Sequence, residues 1–400
     1  MRVVEWSTLT PAEREQVLAR PKKRRDARIA ETVRAIFEDV ERDGEVAVDR
    51  WCQRLDRRPL ECKVLDGASV DAARAQLDTA DLEAIDFAIE QVRFYHEATA
   101  PAPVTVETTP GVVCRRVWRP IQTCGLYTPA GTAPLVSTLI MLAVPAGVAR
   151  VPNRVLVSPP SNSGTTHPAI VVAAAACGLD AIWCVGGAQA IAALTYGAGL
   201  PKADKVFGPG NAYVAEAKRF ASALQGGPAM DLPAGPSELA VVADGSANAA
   251  FVAADLLSQA EHDADAQVLL ISSSAELIAD VGTELARQIE TLPRRDTALM
   301  ALEQARFIKA RDLEEAVAIA NLYAPEHLSL AVNDPIALLA LISSAGAVFV
   351  GRNGAESYGD YLVGPSHVLP TDGAAKAWAG ITTASFMRSF TVQEVDGEAV

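Results

Sequence analysis

The chain has 400 residues, 50% of them hydrophobic and 21% charged, a composition that suits two or three folded domains and excludes intrinsic disorder. Acidic side chains outnumber basic ones by 49 to 35, and the formal charge of −14 disfavours nucleic acid as a partner. The longest apolar run, Ala169 to Cys177, is far shorter than the ~18 residues a membrane helix needs, and MRVVEWSTLT lacks a secretory pattern, so a cytoplasmic protein without membrane contact is expected.

From Val3 to about Ala98 the pattern is mostly helical. Ile29, Val33, Ile36, Phe37 and Val40 mark one face of a helix over 28–46, and Leu82, Ile85, Ala88, Ile89 and Val92 mark another over 81–98. Short β-type runs follow at 112–114 and 116–118. Strands and helices then alternate: strand 154–158, helix 169–177 after Pro168, strand 181–185, helix 189–196, strand 205–207 and a helix from Asn211. A second series runs through strand 238–242, helix 249–260, strand 267–272, helix 275–292, strand 307–310, helix 313–322, strand 328–332, helix 336–343 and strand 347–351. Such alternation with continuous apolar strands predicts an α/β fold of two parallel-sheet domains, with 125–134 and 228–237 as the crossings between them.

Six cysteines (Cys52, Cys62, Cys114, Cys124, Cys177, Cys184) occur without a CxxC pair and read as free thiols of a reducing compartment. The basic run Lys22-Lys23-Arg24-Arg25 reads as a solvated face. Gly208-Pro209-Gly210-Asn211-Ala212-Tyr213 lacks the third glycine of the usual dinucleotide fingerprint. Of five histidines, His96 and His167 read as structural or solvated. The other three have partners that chemistry can use: Gln259 one helical turn before His262, Glu326 beside His327, and Asp360 upstream of His367. Each alone also fits a helix-end hydrogen bond or a turn; together, near element ends, they suit an α/β ligand site and a borderline metal such as zinc.

Seven stretches in order make a family resemblance. They are Gly125-Leu126-Tyr127 with Ala133-Pro134-Leu135, Val185-Gly186-Gly187-Ala188-Gln189-Ala190, Phe207-Gly208-Pro209-Gly210-Asn211 and Pro233-Ala234-Gly235-Pro236-Ser237-Glu238. Leu257-Ser258-Gln259-Ala260-Glu261-His262, Pro325-Glu326-His327-Leu328 and His367-Val368-Leu369-Pro370-Thr371 complete the set. Over nearly its whole length the chain resembles the histidinol dehydrogenases.

That resemblance implies two incomplete Rossmann-like parallel-sheet domains in an aldehyde-dehydrogenase-like arrangement. The implied parts are a helical N-terminal extension at 1–25, a first α/β domain of 26–126 plus 238–382 carrying catalytic and metal residues, an NAD-binding domain at 127–237, and 383–400 as the remnant of a C-terminal segment. It implies a homodimer that oxidises L-histidinol to L-histidine through the aldehyde, using zinc and two NAD in succession. Gln259, His262 and Asp360 match metal ligands, and Glu326 and His327 the acid–base pair. Tyr127, Gln189 and Asn211 match NAD contacts; Ser237 and His327 match substrate contacts, with Gln259, His262 and Asp360 beside them. The family's further C-terminal glutamate and histidine find no counterpart before Val400, so loose zinc binding and slow turnover are expected. Two alternatives stay open: oxidation of another primary alcohol, and a binding or regulatory homologue.

Overall fold

The computed structural model describes residues 2–21, 27–130, 134–161, 166–233, 235–361 and 363–397; the basic run 22–25 lies outside the described residues. The chain opens with strand β1 (Arg2–Glu5) and helix α1 (Pro11–Leu18), the latter started by a capping box of Thr10 and Glu13. The helix expected over 28–46 is two, α2 (Ala27–Asp43) and α3 (Glu45–Leu55), because Gly44 between them sits at φ +59°. Next come β2 (Glu61–Val64), α4 (Gly67–Arg74) and α5 (Thr79–Ala98). The two short runs after Gly111 form one strand, β4 (Val112–Pro120), which follows β3 (Val104–Thr109).

The alternating series begins with β5 (Thr123–Tyr127), α6 (Val136–Val148), β6 (Asn153–Ser158) and α7 (Pro168–Ala176). It continues through β7 (Ala181–Cys184), α8 (Gly187–Tyr196), β8 (Lys205–Phe207), α9 (Ala212–Ala223) and β9 (Ala229–Met230). The second series is β10 (Glu238–Ala243), α10 (Ala249–Ala260), β11 (Gln267–Ser272), α11 (Ala275–Gln288) and α12 (Arg295–Glu303). Then follow β12 (Arg306–Lys309), α13 (Leu313–Tyr323), β13 (His327–Ala331), α14 (Pro335–Leu339), β14 (Ala347–Val350) and β15 (Met387–Val395).

These elements form two compact units. One comprises 25–231, 361–368 and 381–400; the other comprises 1–24, 232–360 and 369–380. The first holds a six-stranded sheet ordered β2-β7-β6-β5-β8-β9, parallel except for β2, and a three-stranded antiparallel sheet ordered β15-β4-β3. Val33, Phe37, Val48 and Ile191 from α2, α3 and α8 pack with Val155 and Val206 of the larger sheet in one buried cluster. The second unit holds a wholly parallel sheet ordered β1-β12-β11-β10-β13-β14.

The division differs from the expected one in four places. Residues 26–126 group with 127–231 and not with 238–382, because α2 and α3 cover the sheet of that unit and β2 pairs with β7. The segment expected as a crossing at 125–134 contains the end of β5, which is buried and central in its sheet; the later boundary, at 231/232, does fall within 228–237. Where a helical extension was expected at 1–25, the described residues 2–21 belong to the second unit: β1 is an edge strand paired with β12, and Val4 and Trp6 are buried in that unit's core. Residues 387–395, expected as a remnant, pair along their length with β4.

Candidate active site

In the unit containing 232–360, helix α13 stops where Ala324 takes a left-handed conformation, φ +54°, and Pro325 cannot continue it. That turn delivers Glu326 and His327 at the start of β13, beside the start of β10. The Glu238 N–H donates to Glu326 Oε2 at 2.9 Å. His327 Nδ1 lies 3.1 Å from the Glu238 carbonyl and 3.0 Å from Gln259 Oε1. Two carbonyl acceptors at Nδ1 require the proton there, so the neutral ring carries its lone pair on Nε2. Nε2 in turn lies 4.0 Å from Glu356 Oε1.

Arg20 supports this frame from behind. Its guanidinium pairs bidentately with the buried Glu238 carboxylate, donates to the Tyr323 carbonyl at 2.9 Å and stacks 3.9 Å over the Tyr323 ring. Glu326 itself is buried. Burial, with the carboxylates of Glu238, Glu356 and Asp360 around it, raises its carboxyl well above the usual range against the pull of the Glu238 N–H.

One ligand atom from each of His262, Glu356 and Asp360 falls within 4.8 Å of the others. His262 follows the C-terminal end of α10, where the helix dipole favours a cation. The Ser258 hydroxyl donates to Glu356 Oε2 at 3.3 Å, and burial with Asp360 and Asp255 pushes the Glu356 carboxyl up to about 8. A bound divalent ion would relieve this crowding of carboxylates. An imidazole and two carboxylates suit zinc. Of the expected ligands the structure therefore brings His262 and Asp360 together, with Gln259 tied to His327. Glu356 was not anticipated; its only signal is its position four residues before Asp360. Ser237 stands half-buried immediately before β10, its carbonyl accepting from Gln267 N.

In the unit containing 25–231, Tyr127, Gln189 and Asn211 converge on a cavity of about 510 Å³ at the carboxyl ends of β5, β6 and β8. The Tyr127 hydroxyl accepts from Gly187 N at 3.1 Å, and Asn211 Oδ1 caps α9 by accepting from Tyr213 N and Val214 N. Gln189 is 1% exposed; its Nε2 donates to Asp56 Oδ2 at 2.9 Å, and its Oε1 is buried without a partner. An orphaned acceptor in a largely apolar crevice at this edge of a parallel sheet suits a nucleotide. Asp56, from the end of α3, lines the same cavity and is the second residue that sequence reasoning missed.

The remaining histidines and the cysteines have surroundings of their own. His167 caps α7 by accepting from Ala169 N, and His96 is buried against Thr383. His367 Nε2 lies 3.3 Å from Thr138 Oγ1, in the unit containing 25–231. All six cysteines are free, with Cys52, Cys124 and Cys177 buried.

The family model for histidinol dehydrogenase matches residues 18–400. The histidinol dehydrogenase of Xanthomonas oryzae pv. oryzae is 47% identical over 394 residues, 98% of this chain and 91% of that protein. The corresponding protein of Colwellia psychrerythraea is 45% identical over 395 residues, with the same coverage of each chain. Among solved structures, histidinol dehydrogenase from Elizabethkingia anophelis superposes with a TM-score of 0.94 at 39% identity, covering 100% of this chain and 91% of that one. An acetylating aldehyde dehydrogenase from Geobacillus thermoglucosidasius, at 16% identity and a TM-score of 0.50 over 93% of this chain and 98% of that one, shares the fold alone.

Proposed function

This chain belongs to the histidinol dehydrogenase family of oxidoreductases, and from that premise we propose that it oxidises L-histidinol to L-histidine in two NAD-dependent steps through the aldehyde. The observation that carries the mechanism is the pair of carbonyl oxygens, of Glu238 and of the Gln259 side chain, 3.1 and 3.0 Å from His327 Nδ1. With Nδ1–H shared between the Glu238 carbonyl and Gln259 Oε1, His327 Nε2 is the base that takes the alcohol proton as the carbon-bound hydrogen departs as hydride. Glu326, buried beside it, takes a proton from the water as the water oxygen bonds to the aldehyde carbon; the carbonyl electron pair moves to its oxygen, and the resulting diol anion loses a second hydride from carbon to leave the carboxyl group. When bound, NAD supplies the hydride acceptor and zinc a Lewis acid that polarises the groups it holds.

His262 and Asp360, with Gln259 and Glu356 as the adjoining donors, are the residues we assign to zinc; Ser237 and His327 are assigned to substrate. Tyr127, Gln189 and Asn211 are assigned to NAD, which places cofactor binding in the unit of 25–231 and the reacting groups in the other. The same reading carries a homodimer and a cytoplasmic setting, which sedimentation and cell fractionation check. Among the described residues no helix is long and apolar enough to cross a membrane.

The deciding experiment follows NADH formation with L-histidinol against a panel of primary alcohols. Two NADH per histidinol is the expected result. Turnover of another alcohol in its place identifies a related dehydrogenase, and no turnover with any alcohol identifies a binding homologue.

A further inference from the structure

We propose that Arg20 is a positioning residue for the reaction: its guanidinium fixes the Glu238 main chain against Glu326 and His327, and so sets how these two groups face the substrate. The inference rests on reading Glu326 and His327 as the acid–base pair.

Glu238 touches both groups through its backbone, its N–H donating to Glu326 and its carbonyl facing His327 Nδ1. The sheet alone does not hold it there. The ladder between β10 and β13 begins with Leu239 opposite His327, one residue past Glu238, whose own strand partner is Gln267 of β11. What ties Glu238 to the segment leading into β13 is its side chain. That carboxylate is fully buried, a costly placement unless its charge is paired, and the cation that pairs it is Arg20.

Arg20 joins two segments through one rigid group. Its Nε and Nη2 grip the two carboxylate oxygens, the latter at 2.7 Å, and Nη2 also donates to the carbonyls of Tyr323 and Ala324, at 2.9 and 3.3 Å. Those carbonyls end α13, directly before Pro325 and Glu326, where the helix dipole favours a cation. The guanidinium has little room to turn: the Tyr323 ring lies 3.9 Å away on one face, and a Cβ on Gly373 would stand 3.0 Å from Nη1. The Asp372 N–H, donating to Glu238 Oε1 at 3.1 Å, holds the carboxylate from another direction. Neutralising Glu238 takes only a positive charge, which lysine also supplies. Keeping the start of β10 and the end of α13 in one register takes the planar fork, which lysine lacks.

Arg20→Lys in the full chain separates the two roles. The imidazole rings are followed by nitrogen NMR with ¹⁵N only at the five histidines, and His327 is identified by its loss in His327→Gln. The unmodified chain is expected to show the neutral His327 ring protonated on Nδ1. In Arg20→Lys that signal should move toward a mixture of tautomers. In parallel kcat for histidinol should fall about 100-fold, as for a displacement of about 1 Å, with the KM for NAD unchanged. If the lysine variant keeps both kcat and the His327 signal, charge alone suffices and the proposal is overturned. A slower enzyme with an unmoved His327 signal overturns it too. Should Arg20→Lys fail to fold, Arg20→Met paired with Glu238→Gln strands no buried charge and must show the same two changes; either one missing defeats the proposal. If His327→Gln leaves histidinol oxidation intact, or the unmodified chain oxidises none, the acid–base reading fails and this inference with it.

Discussion

At the scale of single residues, Glu326 is held by one backbone N–H in a buried, carboxylate-rich corner that disfavours its charged form, which suits a group that must take and return a proton. Glu326→Gln keeps an acceptor for Glu238 N–H but removes that capacity. Oxidation of the aldehyde should slow by ~10²–10⁴, with alcohol oxidation affected less, because only the aldehyde step needs activated water. Single-turnover NADH formation from each substrate checks this, and equal losses would remove the division of labour between Glu326 and His327. At the metal group, Asp360→Asn should lower zinc affinity about 10-fold or more, read by competition with a zinc-sensitive dye; unchanged affinity would move the metal elsewhere. His262, Glu326, His327 and Asp360 stood out in the sequence because imidazoles and paired polar groups are few. Glu356 and Asp56 did not stand out, since a carboxylate in an acidic chain carries no signal until burial and neighbours single it out.

Among the elements, the turn between β8 and α9 shows how a local requirement is met from a distance. Gly208 has φ +114°, and a Cβ there would stand 2.0 Å from the Tyr127 carbonyl oxygen, so only glycine fits. Its N–H donates to Asp231 Oδ2 at 2.8 Å and its carbonyl accepts from Lys218 Nζ at 2.9 Å, while Lys218 and Asp231 pair with each other in the interior. Lys218→Met strands a buried carboxylate and should cost roughly 3–5 kcal/mol, measured as a lower urea midpoint; a loss near zero would mean the pair is dispensable. Helix α5 contributes a second test. Its His96 is fully buried, with the Thr383 hydroxyl donating to its carbonyl at 3.0 Å, and burial holds the imidazole at about 4. The unfolded chain takes up that proton at about 6.5. Stability is therefore complete above about 6.5 and falls as the pH drops toward about 4, by up to about 1.4 kcal/mol per pH unit from this one group. His96→Gln should flatten that part of the stability profile measured by denaturant titration; an unaltered slope would assign it to other groups.

For the molecule as a whole, both large sheets share one strand order, with the first strand of each series (β5, β10) beside the fourth (β8, β13), although no repeat is visible in the sequence. Topology of this kind is carried by the alternation of buried strands and covering helices, and different side chains satisfy it equally well. Ligand binding couples to the stability of the whole: NAD at ~100 times its Kd should stabilise the folded chain by about 2.7 kcal/mol, seen as a higher melting temperature, and no shift would argue against a cofactor site. The alternating apolar runs between Arg154 and Gly351 already specified parallel α/β architecture, because a strand buried on both faces must be apolar throughout and its helices must present one apolar stripe. The ordered motifs likewise pointed to the family and to most of the candidate site. Grouping of 26–126 with the first sheet, the edge position of β1, the pairing of β15 with β4 and the arrival of Asp56 beside β6 were decided only in three dimensions. Each depends on which exposed edge or crevice a distant segment can fill, and local periodicity holds no record of partners so far along the chain.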